Sequence, residues 1–310
     1  MKHKPSVIPQ NNTQGFANKP HLYVLIIVAL VSVSSSSILV RFLPTVPAVV
    51  IAFWRMALAS AVLWVYSLIK PQGRFPREHL LTVTMAGLFL GCHFACFFSA
   101  VKLTSVANAT ILGTVAPVFT VLIEAVFLKR ELFKQVLFGI FFALSGALVI
   151  HSGGFSVLEN NTLGNALALL GSFFIALVFI LSEKIRRNTS TVIYCRTLYF
   201  SASCALFVLS SVLGGAVFSF TQTDFSLFFV LAAIPTIMGH SVLSYVVRFI
   251  SPSSVAAVPL GEPFLASFFA WILFAEQIHT LTYFGGILVF LGLYLTLAGG
   301  AINQHHHKAV

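Results

Sequence analysis

The sequence predicts an all-α, polytopic membrane protein with ten transmembrane helices, arranged as two inverted repeats of five helices with both termini in the cytoplasm. Three observations predict this fold class: the scarcity of charge, ten long apolar segments and a similarity between the two halves of the chain. Of the 310 residues, 58% are hydrophobic and only 8% are charged, whereas about 25% of the residues in a soluble domain are charged. So few charges cannot cover a water-facing surface, which excludes a soluble globular protein and a disordered one.

The apolar segments are continuous and about as long as a membrane-spanning helix, which takes roughly 20 residues. The strands of a transmembrane barrel would instead alternate apolar and polar residues, so a barrel is excluded. We expect the helices at residues 22–43, 47–69, 80–101, 105–128, 135–151, 162–182, 191–213, 225–247, 252–275 and 281–302. The polar residues at 1–21 predict a disordered cytoplasmic tail, and residues 303–310 predict a short C-terminal tail.

The Lys and Arg residues indicate how these helices are oriented. If the N-terminus is cytoplasmic, 14 of the 18 basic residues fall on the cytoplasmic side, and only Arg41 and Lys102 fall outside. This asymmetry follows the positive-inside rule. We therefore expect the net charge of +10 to meet the anionic lipids of the cytoplasmic leaflet, and we expect no nucleic-acid partner.

The two halves of the chain, residues 22–151 and 162–302, resemble each other and are expected to be five-helix repeats. The equivalent pairs include Arg55 and Arg196, at an offset of 141 residues, and Pro117 and Pro263, at an offset of 146. Because each half has an odd number of segments, the second half enters the membrane from the opposite side. Inverted repeats of this kind commonly build transporters with a site near the membrane midplane, between the halves.

Short motifs in the fourth and ninth segments add a family resemblance. The ninth segment reads SPSSVAA at 251–257 and LGEP at 260–263. The fourth segment repeats parts of it, with Ser105-Val106-Ala107 and Ala116-Pro117. Together with the ten segments in two copies, this pattern resembles the EamA-type domains of the drug/metabolite transporter superfamily over about residues 22–300.

The resemblance implies a multi-pass carrier in a bacterial inner membrane that moves small metabolites, often amino acids. It also implies a central cavity lined mainly by the first, third, fourth, sixth, eighth and ninth helices. Many members of the family carry an aromatic residue in the first helix. This chain instead has a run of serines there, at 32 and 34–37.

Glu262 is the first candidate for a substrate-binding residue. It lies about eleven residues into the ninth segment, near the expected midplane. A carboxylate is costly at that depth and normally faces the interior of the bundle. It would bind an ammonium or another cationic group, or a proton. The alternative is a packing role in which the carboxylate pairs with a basic residue.

Two repeat-related pairs of polar residues lie within the membrane segments. His93 and His240 are close to equivalent and are expected to bind substrate or relay protons, with hydrogen bonding inside the protein as the alternative. Arg55 and Arg196 are expected to be structural intramembrane charges, because their equivalence favours a shared structural task. Contact with a substrate carboxylate is the alternative for these arginines.

Other polar side chains are expected to face the cavity rather than lipid. The substrate-binding candidates of this kind are Ser35, Ser36, Asn108, Thr110, Thr114 and Ser172. Hydrogen bonding between helices is the competing interpretation. Glu124 and Glu183 lie near the cytoplasmic ends of their segments, where each can pair with Lys129 or Arg186.

Three prolines interrupt the fourth, eighth and ninth segments and are expected to act as hinges: Pro117, Pro235 and Pro263. A proline inside a helix removes a backbone donor and kinks the helix. Broken helices in transporters expose backbone groups to the substrate or bend during transport. A static kink is the alternative.

The sequence therefore predicts a secondary transporter of amino acids or their derivatives, working by alternating access around a central midplane cavity. The alternatives are a carrier of S-adenosylmethionine, drugs or nucleotide sugars, and a non-transporting membrane sensor or assembly protein. No nucleophile–base, phosphate-binding or metal-binding motif stands out, so we expect no enzyme, no cofactor and no metal site. The expected partners are a small-molecule substrate and the bilayer, with the chain a monomer or a weak homodimer.

Overall fold

The computed structural model describes residues 20–152, 162–275 and 277–306. Ten helices within these residues are long and apolar enough to cross a membrane, which confirms the predicted number. The uninterrupted ones are α1 (Pro20–Arg41), α2 (Ala48–Ile69), α3 (Leu80–Leu103), α5 (Lys134–His151), α6 (Thr162–Arg186), α7 (Thr191–Val212) and α10 (Thr280–His306). Large apolar side chains such as Leu68 and Phe141 are exposed on the outside of the bundle, where lipid surrounds a membrane protein.

The ends of the chain differ in part from the expectation. The predicted N-terminal tail lies outside the described residues except for the first two residues of α1, which begins at Pro20. At the other end, α10 continues to His306, so the first residues of the expected C-terminal tail are helical. The sequence after Gly300 contains neither glycine nor proline, so no helix-breaking residue ends α10 earlier.

The other three helices are interrupted, and each of them contains one of the predicted hinge prolines; the 3-10 segment of α9 also contains Pro259, a proline that was not among them. The segments are Val106–Gly113, Ala116–Leu122 and the π-helical Ile123–Phe127 in α4; Gln222–Leu231, the π-helical Ala232–His240 and Ser241–Val246 in α8; and Pro252–Ala257, the 3-10 helical Val258–Gly261 and Glu262–Phe274 in α9. The breaks are therefore features of the fold, whereas their motion as hinges stays a prediction.

Neighbouring hydroxyl groups satisfy the backbone at these breaks. Proline has no N–H, so the carbonyl four residues before it loses its helical partner. In α8 that carbonyl belongs to Leu231, and the hydroxyl of Thr236, the residue after Pro235, donates to it at 2.8 Å. At the break of α4, the Thr110 carbonyl accepts from the Thr114 N–H at 3.0 Å, and the Thr114 hydroxyl is a second donor to it at 2.9 Å. Such side-chain bonds let a broken helix persist inside a membrane.

Helices pair across the two halves of the chain. The pairs include α5 with α10, α2 with α7, α3 with α6, α1 with α8, and α4 with α9. Exchanging the first five helices for the last five maps every pair onto itself or onto another pair, as an inverted repeat requires. The α5–α10 pair packs backbone against backbone, since a Cβ added at Gly146 would lie 2.5 Å from the Gly285 oxygen and 2.7 Å from the Val289 nitrogen.

Most of the charge of the described residues lies at one end of the bundle. The end where α2, α4, α6 and α8 finish carries ten basic residues and is called the basic end below: Lys70, Arg74, Arg77, Lys129, Arg130, Lys134, Lys184, Arg186, Arg187 and Arg248. The opposite end carries Arg41 and Lys102. Lys102 donates to the carbonyls of Leu43 and Pro44 at 3.3 Å each, and so holds the connection between α1 and α2.

Candidate functional site

A cavity lies between the two halves of the bundle. Its wall is formed by Val33, Ser36, Arg55, His93, Phe94, Phe97, Gly113, Thr114, Ala116, Ile175, Phe179, His240, Ala256, Pro259 and Glu262. These residues come from the six helices that the resemblance implies, together with Arg55 from α2. The cavity volume is about 40 Å³, which holds a few water molecules. A metabolite therefore requires the helices to move apart from this conformation.

All three interrupted helices expose their breaks to this cavity. Gly113 and Thr114 end the first segment of α4, and His240 ends the π-helical segment of α8. Glu262 begins the last segment of α9, directly after the 3-10 turn. The breaks of all three helices thus lie around the same cavity. Irregular backbone within a membrane is tolerated where it lines such a cavity.

Arg55 is completely buried in the cavity wall. Its Nε donates to the Thr236 hydroxyl at 2.6 Å, and its Nη1 donates to the Ser36 hydroxyl at 2.7 Å. The guanidinium carbon lies 4.2 Å from the centre of the Phe94 ring, a cation–π contact. No acid forms an ion pair with Arg55 in the described part of the chain, and Nη2 has no hydrogen-bond partner there.

Glu262 lines the same cavity, half-buried, in the first turn of its helical segment. Its carboxylate has neither a hydrogen bond nor an ion pair with any described residue. The charges of Glu262 and Arg55 attract each other across the cavity without contact. The packing role that pairs Glu262 with a basic residue therefore has no direct partner in this conformation.

The two histidines surround the Phe94 ring. His93 donates from Nδ1 to the Gly171 carbonyl at 2.9 Å, so a neutral His93 ring keeps Nε2 as an acceptor. The His93 ring centre lies 4.8 Å from that of Phe94, and the His240 ring meets Phe94 edge-on at 5.2 Å. No hydrogen bond of His240 is found among the described residues. Together these rings form an aromatic wall beside Arg55.

The predicted hydroxyl and amide residues divide into two groups. Ser36 and Thr114 line the cavity as expected. The remaining four lie outside the wall and are buried or partly buried among the helices: Ser35, Asn108, Thr110 and Ser172. The Ser35 hydroxyl donates to the Ser32 carbonyl at 2.7 Å, and the Ser172 hydroxyl donates to the Leu112 carbonyl at 2.6 Å. For these residues the structure favours the competing interpretation of hydrogen bonding within and between helices.

Asn108 belongs to a hydrogen-bonded group at the end opposite the basic end. Its amide nitrogen donates to the Asn165 oxygen at 3.1 Å, and the Thr104 hydroxyl donates to the same oxygen at 2.9 Å. These bonds connect the end of α3 with the beginnings of α4 and α6. Asn108 therefore joins helices in this conformation and does not reach the cavity.

An ion-pair cluster connects α4 and α6 at the basic end. Arg130 bridges Glu124, at 3.0 Å, and Glu183, at 2.8 Å, and Arg187 reaches Glu183 at 3.0 Å. The expected pairing of the two acids with Lys129 or Arg186 is wrong. Lys129 occupies a left-handed turn (φ 49°). The Arg186 guanidinium donates its hydrogen bonds elsewhere, to the Thr191 hydroxyl and to the carbonyls of Ser244 and Thr189.

The electrostatics of this cluster keep Arg130 charged. Partial burial acts to lower the pKa of Arg130, but the charges and hydrogen bonds of Glu183 and Glu124 raise that pKa above the value of a free arginine. Beside the cluster, every residue of Pro252–Ala257 in α9 is buried, and this segment packs against α4 and α6. The three helices are thus held together between the cavity and the basic end.

Arg196, the repeat equivalent of Arg55, lies away from the cavity. Its Nη2 donates to the Gly73 carbonyl at 2.7 Å, and its guanidinium carbon lies 4.2 Å from the centre of the Trp64 ring. Gly73 has a φ of +87°, in the left-handed region that favours glycine. Arg196 therefore holds the connection between α2 and α3, as expected for a structural charge.

The sequence interpretation missed the aromatic part of the wall. Phe94, Phe97 and Phe179 line the cavity. The chain contains 32 phenylalanines, most of which are equally compatible with lipid contact or helix packing. No local pattern separates the cavity-lining ones, because their position depends on which helices meet.

The protein is a bundle of ten helices in two inverted repeats, and its broken helices surround a central cavity that contains charged groups. This architecture is that of a multi-pass membrane transporter. The chain belongs to the EamA-like transporter family, whose sequence profile matches residues 21–152 and 162–298. The resemblance noted from the sequence is confirmed, and the two matched ranges correspond to the two five-helix halves.

Individual relatives agree with this family. An uncharacterized transporter of Archaeoglobus fulgidus is 27% identical over 260 residues, covering 80% of this chain and 87% of the relative. The pseudopaline exporter CntI of Pseudomonas aeruginosa is 25% identical over 249 residues, covering 79% of this chain and 84% of the relative. A solved crystal structure has the same fold, with a TM-score of 0.75 over 91% of this chain and 98% of its own, at 15% identity.

Proposed function

We propose that this protein is a secondary transporter that moves a small polar metabolite with a cationic group through the central cavity. Glu262 carries the proposal, because it is a cavity-lining carboxylate without a hydrogen bond or ion pair in the described part of the chain. A carboxylate inside the membrane is costly unless it is paired. A substrate ammonium group would supply the missing partner through a charge-assisted hydrogen bond.

Amino acids and their derivatives are the substrate class that we propose. They carry the ammonium group that Glu262 lacks, and Ser36, Thr114 and the His93 Nε2 add groups for hydrogen bonding in the wall. The aromatic wall around Phe94 suits a cation by cation–π attraction. The relative named as a pseudopaline exporter supports transport of a small molecule, and it makes export the first direction to test.

Alternating access follows from the inverted repeats. The conformation described here is packed between the cavity and the basic end, where α4, α6 and α9 meet. An exchange of conformations between the two repeats would transfer this packing to the opposite end and open the basic end. The breaks at Pro117, Pro235 and Pro263 are the proposed hinges, and we propose that the basic end faces the cytoplasm of a bacterium, towards anionic lipid.

Counterflow in proteoliposomes tests this function. Purified protein would be reconstituted and loaded with unlabelled amino acids or derivatives, and the uptake of each labelled counterpart would be measured. We expect Glu262→Gln to reduce counterflow about tenfold to a hundredfold, because a hydrogen bond to a charged group contributes about 1.5–3 kcal/mol. The readout is the initial rate at a fixed substrate concentration.

Glu78→Gln is the matched control, because it makes the same chemical change at a carboxylate whose side chain is 75% exposed. Size-exclusion chromatography and the thermal midpoint in detergent check the fold of both variants. Unchanged uptake by Glu262→Gln, with the same pH dependence as the wild type, would contradict the assigned role of Glu262. Absence of counterflow for the whole panel, with folded wild-type protein, would contradict transport of this substrate class.

A further inference from the structure

The hydrogen-bond pattern of Arg55 is incomplete on one side. Two of its three guanidinium nitrogens are fixed by Thr236 of α8 and Ser36 of α1, and Nη2 has no partner among the described residues. The two fixed partners are neutral hydroxyls, so the positive charge is not neutralised by contact. A completely buried cation without an ion pair is unusual in a membrane protein, and it stands in the wall of the cavity.

Comparison with Arg196 argues against a common structural task for the two arginines. Arg196 donates a hydrogen bond to the Gly73 carbonyl in the connection between α2 and α3, and it lies outside the cavity wall. Arg55 bonds no carbonyl group of any residue that the structure describes. Each arginine has one nitrogen without a partner among the described residues, Nη2 in Arg55 and Nε in Arg196. The two differ in place, because only Arg55 belongs to the cavity wall, where a ligand can approach.

We propose that Arg55 binds the carboxylate of a zwitterionic substrate whose cationic group binds Glu262. This assignment rests on the proposed transport function and narrows its substrate class to molecules with both charges. A guanidinium is suited to a carboxylate because its donors lie in one plane at fixed angles. Thr236 and Ser36 hold that plane in place and leave the buried Nη2 without a partner among the described residues.

Charge balance inside the membrane favours this pairing. When Glu262 is ionised, its negative charge balances the positive charge of Arg55 in the same cavity wall, and the site carries no net charge. A bound zwitterion keeps that balance and gives each charge a direct partner. A simple amine would pair with Glu262 but leave the site with a net positive charge, which is costly in a medium of low polarity.

Matched ligand pairs test the assignment. Counterflow in proteoliposomes would compare amino acids with the amines that remain after decarboxylation: histidine with histamine, tyrosine with tyramine, and lysine with cadaverine. In the wild type we expect each transported amino acid to exceed its amine by about tenfold or more, the scale of one charge-assisted contact. Arg55→Gln should remove this ratio, and Arg55→Lys should keep part of it because the charge remains without the planar fork.

The ratio is measured within one preparation, so it does not depend on how much protein is folded. Arg196→Gln is the matched control and should keep the wild-type ratio. Equal transport of amino acids and amines by the wild type, or an unchanged ratio in Arg55→Gln, overturns the role of Arg55 while leaving transport itself intact. If Arg55→Gln fails to fold, the ratio of amino-acid to amine transport in the wild type and in Arg55→Lys tests the role of Arg55. Absence of flux for all members of the panel overturns both the function and this assignment.

Discussion

At the scale of single residues, the position of Arg55 depends on neighbours that are far away in sequence. Thr236 accepts from the Arg55 Nε and donates its own proton to the Leu231 carbonyl, which Pro235 deprives of its helical partner. One hydroxyl thus satisfies a broken helix and a buried cation at the same time. The proline in α8 and the arginine in α2 are thereby parts of one arrangement.

Thr236→Val should destabilise the protein, because valine has nearly the same shape but no hydroxyl. The change leaves the charged Arg55 Nε without its partner and removes one bond to the Leu231 carbonyl. We expect a loss of roughly 1–3 kcal/mol in the free energy of unfolding. Chemical denaturation in detergent measures this quantity. Thr236→Ser keeps the hydroxyl and should recover most of the loss. Equal stability of the valine variant and the wild type would show that these hydrogen bonds contribute nothing.

At the scale of helices, the ion-pair cluster holds α4 and α6 together at the basic end. Glu124 lies in the π-helical end of α4 and Glu183 in the last turns of α6, and Arg130 from the following connection bridges them. Arg130 is 24% exposed, whereas Arg187 is 63% exposed. The two arginines therefore contact the same acid, Glu183, in different surroundings.

Arg130→Gln should cost roughly 1–3 kcal/mol of folding free energy, since it leaves a nearly buried Glu124 without its cation. Arg187→Gln should cost less than about 1 kcal/mol, because an exposed ion pair is screened by water. The comparison uses the same denaturation measurement for both variants. A larger loss in Arg187→Gln than in Arg130→Gln would contradict the assignment of Arg130 as the bridge between α4 and α6.

At the scale of the whole molecule, the pairing of helices across the repeats places the cavity in the middle of the bundle. The tight α5–α10 pair stands apart from the cavity wall, to which neither helix contributes a residue. The helices that line the cavity include all three broken ones. The tightly packed α5–α10 pair is thus separate from the three broken helices, an arrangement that suits alternating access.

The expected orientation can be tested with reporter fusions. Green fluorescent protein fused after Val310 should fluoresce in cells, and alkaline phosphatase fused there should be inactive, because a cytoplasmic C-terminus follows from the basic residues. Alkaline phosphatase fused after Gly214, between α7 and α8, should be active. A fusion after Arg187, between α6 and α7, serves as the control and should behave like the C-terminal one. The reverse pattern at all three positions would show that the basic end faces outward.

Much of the fold follows from the sequence. Lengths of apolar segments identify the ten helices because bilayer thickness fixes how many residues a helix needs, and the prolines mark the interruptions because they lack an N–H. Five of the predicted substrate-binding residues line the cavity: Glu262, His93, His240, Ser36 and Thr114. Three of them, Glu262, His240 and Thr114, lie at helical breaks, whereas Ser36 and His93 lie in uninterrupted helices. The shared signal was a polar group within a membrane segment, since the membrane leaves such groups few other places.

Only the tertiary structure decided which polar side chains reach the cavity and which are bonded elsewhere. Ser35 and Ser36 are adjacent, yet a helix turns about 100° per residue, so only Ser36 faces Arg55. Arg55 itself reached the wall through α2, a helix that the sequence did not assign to the cavity. The sequence determined that charges lie within the membrane, because composition and spacing are local properties. Which charges meet in one space depends on the packing of helices that are distant in the chain.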